Sequence, residues 1–331
     1  MRSTTLTAAT RRLLTPLLVG ATAFAAATSS AQALEKISYG LSWLPQAEHC
    51  GFYEAKAKGL YKAKGLDVDI VPGGPDVNMS LQLVTGHLDM VMGSMLGQFK
   101  MTAQDMPAVT VAAYFQKDPQ TLVAHPDPNL KSLDDLKGHP MLIGTYSREE
   151  FWQWLKAKYD YKDEWLRPYT YNAAPFLADK QAVQQGYVTN DGYMLGKPLG
   201  ADPKIFLLAD YGYSNYQTTV QVMPKMVKEK PEVIQKFLDA SAEGWKMCLA
   251  GDYEGAWDLV KAANPDQEKP LFEYSIKEMI DRKIVAGEKG LPLGAMTDER
   301  WHDFADTMIK ASVLPEDLKV DTAYTLQFVK E

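Results

Sequence analysis

The sequence predicts an α/β protein of two units with a ligand cleft between them. Three observations carry that prediction. From Ile37 to Ser94, short apolar runs alternate with helix-length amphipathic stretches, the pattern of a parallel sheet with crossover helices. The alternation stops at the turn cluster His125-Pro126-Asp127-Pro128-Asn129 and restarts at Pro140. Strand-like crossings near Thr121 and Gln217 then lead out of the first unit and back into it. Residues 34–121 and 217–331 are therefore expected to form lobe one, and residues 122–216 lobe two. Such a molecule can close on a ligand like a hinge.

Residues 1–33 stand apart. Arg2, Arg11 and Arg12 form a positive, acid-free start, Leu13–Ala27 is mostly apolar, and Ala31-Gln32-Ala33 is a small-x-small site. This predicts a secretory signal peptide cut after Ala33 and a periplasmic protein. The apolar run is shorter than the roughly 20 residues of a membrane span. Three of the 35 basic residues and none of the 42 acids lie in this leader, so the rest has 32 bases against 42 acids. An acidic chain is a poor candidate for binding nucleic acid or anionic membranes. Cys50 and Cys248 are the two cysteines. A disulfide between them is one reading, and two small buried hydrophobes is the preferred one.

In lobe one the spacing predicts strands ending at Trp43, over Asp67–Val71, at Met90–Gly93 and over Val109–Gln116. Helices are expected to open near Glu48 and to cover Leu96–Gln104. In lobe two, strands are expected at Met141–Gly144, Tyr169–Asn172, Tyr187–Thr189 and Ile205–Asp210. Helices are expected at Arg148–Tyr159, with a Ser147/Glu150 capping box, and at Phe176–Gln184. After the strand Gln217–Met223 the pattern is helical: Pro224–Lys228, Pro231–Ala250, Glu254–Ala263, Glu268–Lys283 and Asp298–Ser312, the last capped by Thr297.

Catalytic signatures are missing: there is no Gly-x-Ser-x-Gly elbow, His-Glu-x-x-His pair, Walker loop or Gly-x-Gly-x-x-Gly. The five histidines show no metal-ligand spacing. No enzyme activity, metal or cofactor is expected. Ligands of such sheets gather beyond the strand ends, which nominates Trp43, Glu48, His49, Gly73, Gly74 and Ser94 on the first wall. Tyr146, Phe151, Tyr171, Asn190, Asp191 and Tyr193 are the choices on the second. Trp43 offers a flat stacking surface or a core residue. Glu48 favours a helix start, and His49 donates to a ligand or caps locally. Gly73-Gly74 allows close backbone approach or is a plain turn. Asp191 accepts from an amine or ring N–H, or closes an Asn-Asp-Gly turn.

The run LSWLPQAEHCGFYEAKAKGLYKAKGLDVDIVPGG resembles the NMT1/THI5-like substrate-binding proteins of ABC importers, as do Gly86–Asp89 and Pro231–Ala240. The resemblance implies a type II periplasmic-binding fold, a small heteroaromatic ligand of the pyrimidine, thiamine-precursor kind, a membrane permease with its ATPase as partner, and a monomer. Two alternatives remain open. One is a binder of nitrate, sulfonate or taurine-type anions. The other is a pyrimidine synthase, for which Lys58 matches a cofactor lysine, although residues 205–222 lack the cysteines of that branch.

Overall fold

The computed structural model describes residues 1, 3–8, 33–74, 77–286 and 291–329. The signal-peptide segment lies almost wholly outside them, as do Pro75, Asp76 and part of the Gly-rich 284–297 stretch. Residues 34–331 form one compact unit.

Lobe one opens with β1 (Glu35–Gly40), a 3-10 turn at Ala47–His49, α1 (Cys50–Ala57), α2 (Leu60–Ala63) and β2 (Leu66–Val71). In β2 the aliphatic residues Leu66, Val68 and Ile70 are buried and Asp67 and Asp69 are exposed. That alternation of period two gives an edge strand one covered face. There follow α3 (Met79–Val84), β3 (Met90–Ser94), α4 (Met95–Ala103) and β4 (Val109–Phe115).

The chain then enters the second sheet as β5 (Gln120–Ala124). This lobe continues through β6 (Met141–Leu142), α5 (Thr145–Arg148), α6 (Phe151–Tyr159), β7 (Leu166–Arg167), α7 (Ala174–Ala178), β8 (Val183–Tyr187), α8 (Asp191–Leu199) and β9 (Lys204–Leu207). β10 (Gln217–Val222) returns to the first sheet. Then come α9 (Pro224–Glu229), α10 (Pro231–Leu249), α11 (Glu254–Ala263), α12 (Lys269–Asp281) and α13 (Asp298–Lys310).

The strand orders are β2-β1-β3-β10-β4 and β7-β6-β8-β5-β9. Both sheets are mixed rather than parallel. β1 pairs parallel with β2 and β3, but β10 runs antiparallel between β3 and β4. β5 is likewise antiparallel to β8 and β9. The antiparallel strands β5 and β10 are those that directly follow a crossing between sheets.

One core gathers Tyr39, Phe52, Phe237 and Trp245 around the first sheet. A second gathers Trp154, Tyr213 and Phe206 with Phe99 of α4 and Trp301 and Phe304 of α13. Cys50 and Cys248 do not remain separate thiols. They form a disulfide between α1 and α10, with Cα atoms 6.3 Å apart. The helices cross closely there because Gly51 and Gly244 face each other. A Cβ on Gly244 would sit 2.1 Å from the Gly51 carbonyl oxygen.

Several lobe-two elements differ from expectation. β8 occupies Val183–Tyr187, where Gln184 and Gln185 are buried. The predicted helix ends early, as α7. Asn190-Asp191-Gly192 opens α8 instead of closing a turn. Helix Arg148–Tyr159 is broken at Glu150, whose backbone is non-helical, and the Ser147 capping box does not form.

Candidate functional site

Beyond β1 the chain continues as the loop 41–46. Gly73 locks this loop. Its N–H donates to the Trp43 carbonyl at 3.1 Å, and a Cβ would lie 2.2 Å from the Leu41 carbonyl oxygen. The close backbone approach offered by Gly73 is therefore to the chain itself. Gly74 has room, its nearest neighbours being Leu44 and Val77 at 3.9 Å. Trp43, half-buried, meets Tyr171 of lobe two with ring centroids 6.2 Å apart and planes inclined by 48°. Tyr171 is 61% exposed, has φ +59, and is backed by Tyr169 at 5.3 Å.

The lobes also touch through polar groups. The Thr189 hydroxyl donates to the buried Glu48 carboxylate. Ser275 of α12 donates to the Thr189 carbonyl at 2.6 Å, and Tyr193 packs on Tyr274 with centroids 5.6 Å apart. Burial raises the Glu48 pKa, against the pull of the Thr189 bond, and nearby Asp191 adds to the rise. Asp191 accepts from the Tyr187 N–H at 2.7 Å and from Gln184 at 3.2 Å, so it closes its own β8–α8 connection. Burial raises its pKa too. The Asn190 carbonyl accepts the Tyr193 and Met194 N–H groups at the start of α8.

His49 is a structural residue. It is 2% exposed, and its Nδ1 accepts from the Gln46 N–H at 3.2 Å. Burial lowers its pKa to about 3. The unfolded chain takes up this proton near pH 6.5 while the folded one resists it. Stability from this group is thus complete above pH 6.5 and falls as pH drops toward 3, by on the order of 4 kcal/mol. Asp118 has the opposite sign. Burial pushes it up to about 6, so its ionisation erodes stability as pH rises from about 4 to 6. In urea unfolding at pH 7 and pH 4.5, His49→Gln is expected to flatten the acid loss and Asp118→Asn to steepen it. Identical pH profiles for parent and variants would refute both assignments.

Phe151 lines no cleft. It is 2% exposed in the second core, because it begins α6 on the face toward Trp154 and Leu155. Tyr146 does face solvent, 59% exposed, with the Lys100 ammonium 5.2 Å from its ring centre. Lys100 also pairs with Glu150 at 3.4 Å. Burial raises the Glu150 pKa and Lys100 opposes the rise. The Tyr187 phenol, which accepts from Gln217 at 3.2 Å, is raised by burial and by the charges of Asp118, Glu48 and Glu150. Tyr187, Lys100, Glu150 and Asp118 were not among the residues nominated from the sequence.

The donors an anion would use are engaged. Ser94 caps α4 by accepting the Gly97 N–H at 2.9 Å. The Met95 N–H donates to the Tyr216 carbonyl at 2.9 Å and the Leu96 N–H to Asn215 at 3.1 Å. Arg148 donates to the Ile143 and Arg167 carbonyls, both at 2.9 Å. The Gly144 N–H is held by Gln185 at 2.6 Å. Lys58, at the far end of α1, pairs with Asp252 at 2.8 Å and Glu54 at 3.4 Å. The eight residues of α1 separate it from His49, a helical rise of about 13 Å.

Two recesses elsewhere, beside Tyr114, Leu238 and Phe328 and beside Asp67, Asp69 and Asp89, contain none of these groups. Among the described residues the grouping with metal-ligand spacing is Asp298, His302 and Asp321. It lies at the surface, where His302 already pairs with Asp321 at 2.9 Å.

A family model described as NMT1/THI5 like matches residues 46–253, from the first cleft loop past the end of α10. The chain belongs to this family. The riboflavin-binding protein RibY of Chloroflexus aurantiacus is 25% identical over 328 residues, covering 95% of this chain and 92% of that protein. The formylaminopyrimidine-binding protein of Halalkalibacterium halodurans is 23% identical, covering 90% and 92%. The periplasmic aliphatic sulphonate-binding protein SsuA of Escherichia coli superposes with a TM-score of 0.65 at 15% identity, over 90% of this chain and 93% of that one. NMT1/THI5-like membership and this superposition give the chain the periplasmic-binding-protein fold, two α/β lobes flanking a cleft.

Proposed function

We propose that this protein is the periplasmic solute-binding component of an ABC importer, and that it captures a neutral or cationic nitrogen heteroaromatic and delivers it to a membrane permease. The observation that carries the ligand class is the Trp43–Tyr171 ring pair, one ring from each lobe. Two rings hold a planar ligand when each is about 3.5–4 Å from it. The present 6.2 Å separation and 48° inclination reach that arrangement with an opening of about 1–2 Å and a rotation that brings the two rings parallel. Glu48, at the contact between the lobes, and Asp191, at the start of α8, are carboxylates, which favour a ligand that brings N–H donors or positive charge.

The relatives named for riboflavin and formylaminopyrimidine support the heteroaromatic class. The anion alternative is disfavoured because the α4 N–H groups and Arg148 already have partners, and anion sites rely on such donors. The synthase alternative is disfavoured by the distance between Lys58 and His49. A leader of signal-peptide type fits export to the periplasm.

Equilibrium dialysis with a bound aminopyrimidine or riboflavin, followed by chromatography, separates carrier from catalyst. The ligand is expected back unchanged, and incubation with pyridoxal phosphate is expected to give no Schiff-base absorbance that Lys58→Ala removes. A converted ligand, or such an absorbance, would overturn the carrier reading.

A further inference from the structure

The two sheets are joined by two chain crossings, Gln116–Pro119 between β4 and β5 and residues 212–216 ahead of β10. Motion of one lobe on the other must be absorbed in these short segments. They are tied to each other. The buried Asn215 side chain donates to the buried Asp118 carboxylate at 2.7 Å. Lys117 pairs with Asp210 at 2.7 Å at the surface.

The most extensive tie comes from α13. Arg300 donates from Nη2 to the Gln116 carbonyl at 2.6 Å in the first crossing. In the second it donates to the Ser214 carbonyl at 2.9 Å and to the Asn215 carbonyl at 3.3 Å. Its guanidinium lies 3.9 Å over the Tyr216 ring. The same crossing reaches the cleft, because Tyr216 and Asn215 accept the first two N–H groups of α4, whose cap is Ser94. Trp301 and Phe304, beside Arg300 on α13, are fully buried in the second core, so the cation has a firm base.

We propose that Arg300 is the positioning residue of the hinge. Its planar fork holds backbone carbonyls of both crossings at once and so sets how far and how often the lobes part. A lysine keeps the charge but has neither the fork nor the stacking plane, so Arg300→Lys isolates the geometry. Where binding needs the closed form, apparent affinity scales with the closed fraction. Resting on the cleft-binding reading above, Arg300→Lys is then expected to weaken ligand binding about three- to ten-fold.

The hinge itself is tested without ligand. Spin labels on cysteines introduced at the exposed positions Thr85 and Lys180, one in each lobe, report the interlobe distance in the oxidised protein. Arg300→Lys and Arg300→Gln are expected at least to double the width of the distance distribution. Lys117→Ala, which removes only the surface pair, is expected to leave it unchanged. The proposal is overturned if Arg300→Lys folds with the parent's distribution, whether or not its melting temperature falls. It is equally overturned if Lys117→Ala widens the distribution as much. Since no ligand is present, failure of the heteroaromatic reading would leave this measurement intact.

Discussion

Replacing both Cys50 and Cys248 by alanine is expected to lower the unfolding free energy by about 3–5 kcal/mol. The bridge closes a span of 198 residues, and the chain-entropy relation puts the restriction of the unfolded state near 5 kcal/mol for such a loop. Both sulfurs are fully buried where α1 meets α10. Alanine leaves small voids there but no unsatisfied hydroxyl, which serine would introduce. Urea unfolding of the oxidised parent, the reduced parent and the double variant is the measurement. The two bridge-free forms are expected to share a midpoint well below that of the oxidised parent. Equal midpoints for oxidised and reduced protein would show that the bridge does not form. A disulfide of this kind persists in oxidising compartments, in keeping with export.

Trp43→Ala and Tyr171→Ala are each expected to weaken heteroaromatic binding by roughly 10- to 100-fold, since stacking a base-like ring on an aromatic side chain contributes about 1–3 kcal/mol. Neither should cost much stability. Trp43 is half-buried and Tyr171 is 61% exposed, so neither leaves a closed cavity. This separates them from Phe151, whose truncation in the core is expected to cost about 3–5 kcal/mol with little effect on affinity among molecules that remain folded. Calorimetric titration beside thermal melts distinguishes the two patterns. Wild-type affinity in both Trp43→Ala and Tyr171→Ala would remove the ring pair from the site.

Much of the architecture was legible because burial writes its period into the chain. β2 alternates Leu66, Val68 and Ile70 against two aspartates, and α10 repeats Ile234, Phe237, Leu238 and Trp245 at helical spacing. β8 was not legible, since Gln184 and Gln185 are polar residues buried within a strand. α8 was hidden because Asn-Asp-Gly suits a turn and a helix start alike. In the cleft, Trp43 stood out as an aromatic at a strand end. Glu150 read as the partner of a Ser147 capping box and Lys100 as one residue of the Leu96–Gln104 helix, and only the fold pairs the two at 3.4 Å from distant segments. The same limit applies to the cysteines, because sequence separation carries no distance.

The most direct test of the proposed heteroaromatic ligand class is one calorimetric comparison on the unmodified protein. Riboflavin and an aminopyrimidine are titrated beside taurine, a longer alkanesulfonate and nitrate. At least one heteroaromatic is expected to bind with a dissociation constant in the micromolar range or tighter, the anions giving no heat of binding. Tight binding of a sulfonate or nitrate, with silence from both heteroaromatics, would contradict the proposed ligand class.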